Sequence, residues 1–280
     1  FISILLFTSP AFGQEVERLS LEQALEVAYA RNPRMVAARQ EVEAAKGRWI
    51  QAGAYPNPEL SINSTEISEG IRGGSTVGDD SIELSQQIDV LRKIPVRAQA
   101  AQLNYQTAQH HLNRIWGEAV FDVTETYNEL LLSTQRVGVA REALELARRL
   151  LDQVQLKYNA GEVLRNELLR AQIEVAKAEN AMLELQNQAA VGTSRLNILL
   201  GRDPQIPLSP ADQLTYQAKD FDSQRLLSQA LAQRPDLKAT GTALQAQERQ
   251  LQLALRSVLE DPTLSVIGTR ERGEVGTETV

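Results

Sequence analysis

The chain has 280 residues, 42% hydrophobic but only 5% aromatic, with 29 Lys and Arg against 36 Asp and Glu for a formal net charge of −7. An acidic balance with no basic block argues against nucleic acid as the partner. Apolar content suffices for a core, yet the Ala-, Leu-, Gln- and Glu-rich stretches suit thin helix–helix packing better than a bulky interior. There is no cysteine, which fits any redox compartment and leaves no residue for an N-terminal lipid anchor.

Phe1 to Phe7 is an apolar run, followed by Thr8-Ser9-Pro10 and then Ala11-Phe12-Gly13-Gln14. Small residues at Ala11 and Gly13 after an apolar stretch match a secretory cleavage site. A helix needs about 20 apolar residues to span a bilayer, so this run does not cross one. With neither an initiator Met nor a basic start, residues 1–13 read as a signal peptide whose front is missing. The alternative is an apolar tag or buried strand.

Ser20 with Gln23 forms a capping box, with Leu19 as hydrophobic staple, and opens a helix over 20–32. Leu21, Ala24, Leu25 and Ala28 share one face of it. Pro33 ends that helix, because the residue before proline avoids α geometry, and begins a second helix over 33–54. Its expected inner face is Val36, Ala37, Ala44, Ala45 and Trp49. Pro56-Asn57-Pro58 then stops helical structure.

Two strands follow. Residues 59–67 alternate at Leu60 and Ile62. Residues 81–90 place Ile82, Leu84, Ile88 and Val90 opposite Ser81, Glu83, Ser85, Gln87 and Asp89. A Gly/Ser/Asp-rich loop over 68–80 joins them. Such lengths also suit tilted transmembrane β-strands with a polar lumen face. Ser64 and Gln86 fall on the outward face and weaken that reading, so these residues taken alone favour an ordinary soluble hairpin.

Pro95 opens a helix expected over 95–157, some 62 residues or roughly 90 Å at 1.5 Å per residue. The turn Tyr158-Asn159-Ala160-Gly161-Glu162-Val163 interrupts it, and a helix over 166–200 returns, closed by Gly201 and Pro204. On the returning helix Leu168, Ala171, Val175, Ala178, Met182, Leu185, Ala189, Gly192, Leu196 and Leu199 recur at alternating spacings of three and four. The outgoing helix carries the same rhythm through Trp116, Val120, Val123, Tyr127, Leu130, Thr134, Val137, Ala140 or Arg141, Leu144, Leu151 and Val154. A seam of this period keeps one stripe against a partner helix, the pattern of a coiled coil. The returning helix covers only half of the outgoing one. The helices over 20–32 and 33–54, stacked end to end, would cover the rest.

From Asp222 the beginning of the chain recurs, shifted by 202 positions (222 − 20). Leu25, Ala28, Ala30, Pro33, Ala37 and Ala44 match Leu227, Ala230, Ala232, Pro235, Ala239 and Ala246. After a slip of two, Pro58, Leu60 and Ser61 match Pro262, Leu264 and Ser265. The order helix, Pro, helix, Pro, strand recurs with them, which reads as an internal duplication. It divides the chain into a first repeat over 14–221 and the start of a second over 222–280. By that measure the second copy stops about 140 residues early, so the chain is expected to be C-terminally truncated.

Taken together, the chain resembles the TolC-like outer-membrane efflux proteins, the outer-membrane factors of tripartite exporters. The resemblance covers about 19–280. It is most specific in Lys157-Tyr158-Asn159-Ala160-Gly161-Glu162-Val163, in Leu168-Leu169-Arg170-Ala171-Gln172, and in Leu196-Asn197-Ile198-Leu199-Leu200-Gly201. Pro56-Asn57-Pro58-Glu59-Leu60, and Ser85-Gln86-Gln87-Ile88 before Arg97, are most similar to the CzcC-like heavy-metal-efflux branch. The implied fold class is mainly α with a small β part. Long coiled-coil helices would form a protomer of a periplasmic α-barrel, and the strands would join a trimeric, twelve-stranded outer-membrane β-barrel. The implied partners are two further copies in a homotrimer, a periplasmic adaptor (membrane fusion protein), an inner-membrane pump and outer-membrane lipid.

Ala160, Gly161, Glu162, Val163 and Leu164 would then form the adaptor-docking tip. Gly161 would supply positive φ, and Val163 and Leu164 exposed apolar contact. The plainer reading is a helix–helix turn. Glu167 aligns with an acidic position that helps close the periplasmic entrance in some family members. Three such carboxylates around a threefold axis would repel one another and attract cations; the plainer reading is an acid favoured by the helix macrodipole. His110 and His111, the only histidines, point about 100° apart on a helix and do not chelate one metal together. Neither metal nor cofactor is expected. Trp49 and Trp116 read as packing residues, and Tyr55 as an interfacial anchor or a loop residue.

No Ser-His-Asp arrangement, phosphate loop or carboxylate dyad points to an enzyme. The expected function is a passive exit duct for solute, metal ion or drug. A non-channel periplasmic coiled-coil scaffold or adaptor is the alternative, with the heptads binding partner helices and the strands forming a soluble cap.

Overall fold

The computed structural model describes residues 16–68, 76–215, 218 and 220–273, so the segment over 1–13 read as a signal peptide lies outside the described residues. In chain order the elements are β1 (Glu17–Leu19), α1 (Leu21–Arg31), α2 (Pro33–Gly53), β2 (Glu59–Ser68), β3 (Thr76–Gln87), α3 (Lys93–Asn159), α4 (Arg165–Leu199), β4 (Leu208–Pro210), α5 (Ser223–Gln233), α6 (Pro235–Arg256) and β5 (Thr263–Gly273). They fall into two compact units. One holds the chain up to Gln40 together with His111–Arg234; the other holds Glu41–His110 and the chain from Pro235.

In the first unit, Ala24 and Ala28 of α1 are buried with Val123, Tyr127 and Leu130 of α3 and with Leu196 and Leu200 at the end of α4. Leu19 and Leu208 complete the cluster from β1 and β4, which pair in parallel. The capping box is present: Ser20 accepts from the Gln23 N–H, and the Gln23 side chain accepts from the Ser20 N–H. Asn32, 2% exposed, serves three elements at once. Its backbone caps α1, its Oδ1 accepts from the N–H groups of Arg34 and Met35 at the start of α2, and its Nδ2 donates to the Leu199 carbonyl at 2.8 Å.

Both ends of the helical hairpin use a left-handed glycine. Gly161 (φ 79) follows α3, with Glu162 N–H on the Lys157 carbonyl and Gly161 N–H on that of Tyr158. Gly201 (φ 66) follows α4 with the same pair of bonds, Arg202 to Asn197 and Gly201 to Ile198. This is the Schellman arrangement, in which the two N–H groups beyond the helix satisfy carbonyls of its last turn.

Every residue of the seam expected on α4, from Leu168 to Leu199, is buried or half-buried; on α3 only Thr134 and the alternative Arg141 are exposed. The inner face of α2 differs from expectation. Met35, Ala38, Val42 and Ala45 are buried, whereas Val36, Ala37 and Ala44 are exposed. Met35, Ala38, Val42, Ala45 and Trp49 keep strict three–four spacing and so stay on one stripe; the expected set wanders off it.

In the second unit β2, β3 and β5 form an antiparallel sheet in that order. β3 begins five residues before the expected 81, and Ile88 and Val90 lie beyond its end. The early start falls where a loop was expected: Thr76 pairs Ser68, and Val77 pairs both Ile67 and Gly273, so pairing outweighs the Gly/Asp composition. The ladder stops where Pro58 precedes β2 and Pro262 precedes β5, since proline donates no N–H.

At the foot of the sheet Asp89 accepts from the first N–H groups of α3, Lys93 and Ile94. Lys93 pairs with Asp261 at 3.2 Å. Arg256 donates to the carbonyls of Leu91 and Arg92. Arg97 donates to those of Ala52 and Ala54 at the end of α2. Trp49 stacks on Tyr105 at 5.7 Å, and in the first unit Trp116 meets Tyr29 edge-on at 5.0 Å. Both tryptophans pack helix against helix.

α5 and α6 follow the pattern of α1 and α2. α1 and α5 are 11 residues each; α5 is capped by Asp222 where Ser20 caps α1. Each ends on an extended residue before proline, Asn32 at φ −55 and ψ 127 and Arg234 at φ −53 and ψ 114.

Candidate functional site

Two surfaces stand out, one at each kind of element. The first is the turn between α3 and α4. Ala160, Gly161 and Glu162 are exposed, Val163 is half-buried, and Leu164 is 77% exposed. Leu164 takes the N-cap geometry of α4 (φ −80, ψ 157) without a side-chain cap, because leucine has no acceptor to give the free N–H groups there. Glu167 stands in the first turn of α4 and pairs with Arg170 at 3.1 Å, both side chains being more than half exposed. So the turn presents apolar surface, and Glu167 carries a solvated partner beside it.

The second surface is the sheet. Leu60, Leu84 and Val266 lie side by side across β2, β3 and β5, and Ile62, Ile82 and Gly268 form the next row. Leu264 stands opposite Gln86 below them. All six large apolar side chains of these rows are more than half exposed. On the other face stand Ser61 with Glu83, Asn63 with Ser81 and Thr269, and Ser85 with Glu59 and Ser265. Ile267 is the one apolar residue among these polar rows of described side chains. The outward apolar band ends in a polar row, Ser64, Asp80 and Arg270, where Ser64 donates to Asp80 at 2.7 Å. A sheet with its apolar face uncovered and its polar face opposite inverts the order of a soluble half-buried sheet.

A third feature was not read from the sequence. On α4, Leu169, Ile173, Leu183, Val191 and Ile198 are exposed. At 100° per residue they lie about opposite the buried seam. Phe121, Leu132, Val139, Leu146 and Leu150 make the matching exposed stripe on α3. The spacing of seven in Leu132, Val139 and Leu146 was the available signal, masked by the stronger seam beside it.

Among the described residues no group of three or more His, Asp or Glu is placed to hold a metal ion, and His110 and His111 belong to no such group. No described helix is long and apolar enough to cross a membrane.

The outer membrane efflux protein family matches residues 24–202, more than half of the chain. The chain belongs to that family. It is 26% identical over 236 residues to the cobalt-zinc-cadmium resistance protein CzcC of Cupriavidus metallidurans, covering 80% of this chain and 54% of that one. With the probable outer membrane lipoprotein SilC of Salmonella typhimurium it is 27% identical over 241 residues, covering 84% and 51%. The chain thus spans about half the length of the curated relatives it matches. Among solved structures, the Campylobacter jejuni CmeC outer membrane channel superposes with a TM-score of 0.72 at 17% identity, covering 96% of this chain and 66% of that one. At that identity the likeness concerns the fold: long helices with a small set of strands, as the sequence led one to expect.

Proposed function

We propose that the chain is part of the outer-membrane channel component of a tripartite efflux system. The channel is a passive conduit across periplasm and outer membrane, and an inner-membrane pump supplies the energy. The observation that carries this is the exposed apolar face held in register across β2, β3 and β5. Backbone groups at an open sheet edge find no partner in lipid, so a sheet there has to close into a barrel. Strands from further copies close it, in a homotrimer seated in the outer membrane of a Gram-negative bacterium and reaching into the periplasm. A soluble scaffold would bury the apolar rows beneath its own helices; their exposure favours the duct.

The second apolar stripe on α3 and α4 supports the same assembly, because helices in a ring need a neighbour on each side. The turn over 160–164 docks onto the hairpin tips of a periplasmic adaptor, with Leu164 as its apolar contact. Glu167 lies beside it as an entrance gate. The matching caps and proline joints of α1–α2 and α5–α6 support two copies of one repeat, 14–221 and from 222 on. The cargo is a hydrated solute, a metal ion or a drug; the cobalt-zinc-cadmium resistance relative supports a metal ion.

Expression of the full-length gene, membrane fractionation and cross-linking test the assembly. A trimer in the outer-membrane fraction is expected. A monomer confined to the soluble periplasm contradicts it.

A further inference from the structure

Through the duplication α2 and α6 correspond, yet each buries the face that the other leaves bare. Met35 and Val42 of α2 are buried and Trp49 is half-buried; at the matching positions of α6 stand Leu237, Leu244 and Leu251, 47%, 63% and 63% exposed. Ala239 and Ala246 of α6 are buried, whereas Ala37 and Ala44, their matches on α2, are exposed. The three leucines recur every seven residues, the period of a coiled-coil seam, and Leu255, also exposed, extends them. Single exposed leucines are ordinary, but a heptad row of them is a face made for another helix.

The second unit shows what the two covered faces meet. Trp49 of α2 stacks on Tyr105 of α3, and a Cβ added to Gly53 would touch Ala98. On α6, Thr242 stands between Ala239 and Ala246 on one face, and its hydroxyl meets that of Thr107 on α3 at 2.8 Å. At 100° per residue Tyr105 and Ala98 share one direction from α3, and Thr107 points about 200° away. Ile94 lies in the first direction, Val96 and Ala100 in the second, and all three are buried. α3 is thus held between the bulky face of α2 on one side and the alanine face of α6 on the other.

We propose that a second long helix of the full-length protein fills the two bare faces and so joins one copy to the next. This rests on the duplication and the channel reading above; relatives about twice as long as this chain have room for such a helix. On one side it takes the leucine face of α6 in its own chain, as α3 takes Val42 and Trp49 of α2. On its other side it takes the alanine face of an α2, as α3 takes that of α6. In a four-helix bundle one helix would touch α2 and α6 of a single chain. Here those two stand on opposite sides of α3, each roughly 10 Å from its axis, so a helix beyond α6 does not reach the same chain's α2. The α2 therefore belongs to a neighbouring copy. Each copy gives its alanine face to one neighbour and its second long helix to the other, a head-to-tail contact that closes as a ring.

The test uses the full-length protein, cysteine-free, as trimers from outer membranes. Leu244→Cys and Ala44→Cys probe the two faces, and Gln245→Cys, exposed on the flank between them, is the reference. A water-soluble maleimide should modify the first two about tenfold more slowly than the reference, or slower still, because a thiol under a helix is inert. Photoreactive residues tell the two contacts apart. On irradiation Gly47→benzoylphenylalanine should give covalent dimers, and Leu251→benzoylphenylalanine monomers linked within the chain to a peptide beyond residue 280. At Gly47 an added Cβ meets nothing within 4 Å, so this position decides the matter even where Ala44→Cys blocks assembly. Labelling of Leu244→Cys or Ala44→Cys as fast as the reference overturns the proposal. So does a dimer from position 251, or a link from position 47 within its own chain. Any of these in a membrane-inserted trimer overturns the helix packing alone; a protein absent from the membrane fraction overturns the channel reading as well.

Discussion

The Tyr127 hydroxyl donates to the Asp212 carboxylate at 2.7 Å, and the same oxygen of Asp212 accepts from the Leu21 N–H at 2.8 Å. One carboxylate thus ties the middle of α3, the start of α1 and the segment after β4. A hydroxyl has a single proton, and the closer, charged acceptor takes it in preference to the Leu19 carbonyl at 2.9 Å. Burial first, and then the bond to Asp212, push the Tyr127 phenol up to about 12. The Leu21 N–H first, and then Tyr127, lower the Asp212 carboxyl.

The pH dependence follows with opposite signs at the two ends. Above pH 10 the unfolded tyrosine loses its proton while the folded one keeps it, so stability falls from pH 10 toward 12, by about 3 kcal/mol in full. The Asp212 contribution is full above its ordinary value of 3.8 and is lost below it, as pH falls through the lower value the folded carboxyl holds. Tyr127→Phe removes the alkaline loss and costs about 1–3 kcal/mol at neutral pH. Denaturant unfolding of both proteins between pH 7 and 11.5 measures it.

Two left-handed glycines separate backbone strain from steric clash. At Gly161 an added Cβ meets nothing within 4 Å, so Gly161→Ala costs only the left-handed penalty, about 1–2 kcal/mol. At Gly201 the same atom would stand 2.2 Å from the Arg31 carbonyl oxygen, against backbone. Gly201→Ala should therefore cost several kcal/mol more or prevent folding. Thermal unfolding of the pair makes the comparison.

Asn32 gives a third. Asn32→Ala deletes the cap of α2 and leaves the Leu199 carbonyl without its donor, for a loss of about 2–4 kcal/mol. Asn32→Asp keeps the cap but sets a carboxylate against that carbonyl, so it should not restore stability. Chemical denaturation of the three proteins checks this.

Much of the hairpin was legible, because capping boxes, prolines and heptads act within a few residues. The expected strand at 81–90 was displaced because Thr76–Asp80 reads locally as a loop, and only pairing on both sides makes it strand. β1 and β4, three residues each and paired across 191 positions of sequence, left no periodicity to read. Tyr127 was visible as a seam residue, but its hydroxyl partner lies 85 positions away. The tip residues were legible as a turn, since Gly161 after a helix has a local cause. The second apolar stripe on α3 and α4 went unread because a seam already accounted for those helices.

At the tip, Leu164→Glu places a charge where apolar contact with the adaptor is proposed. Export by cells carrying the full-length protein should fall by about tenfold or more, while trimer content in the outer membrane stays unchanged. Resistance assays alongside cross-linking to the adaptor separate docking from folding.

The most direct measurement places single cysteines, one at a time, along β2 and β3 of the full-length protein in a cysteine-free background. Ile62, Ile82 and Leu84 sample one face; Asn63, Glu83 and Ser85 sample the other. In intact outer membranes the first three should react with a lipid-phase label and resist a water-soluble maleimide, while the second three do the reverse. Reaction of both faces with the water-soluble reagent, in a particle that never sediments with membranes, would contradict the channel.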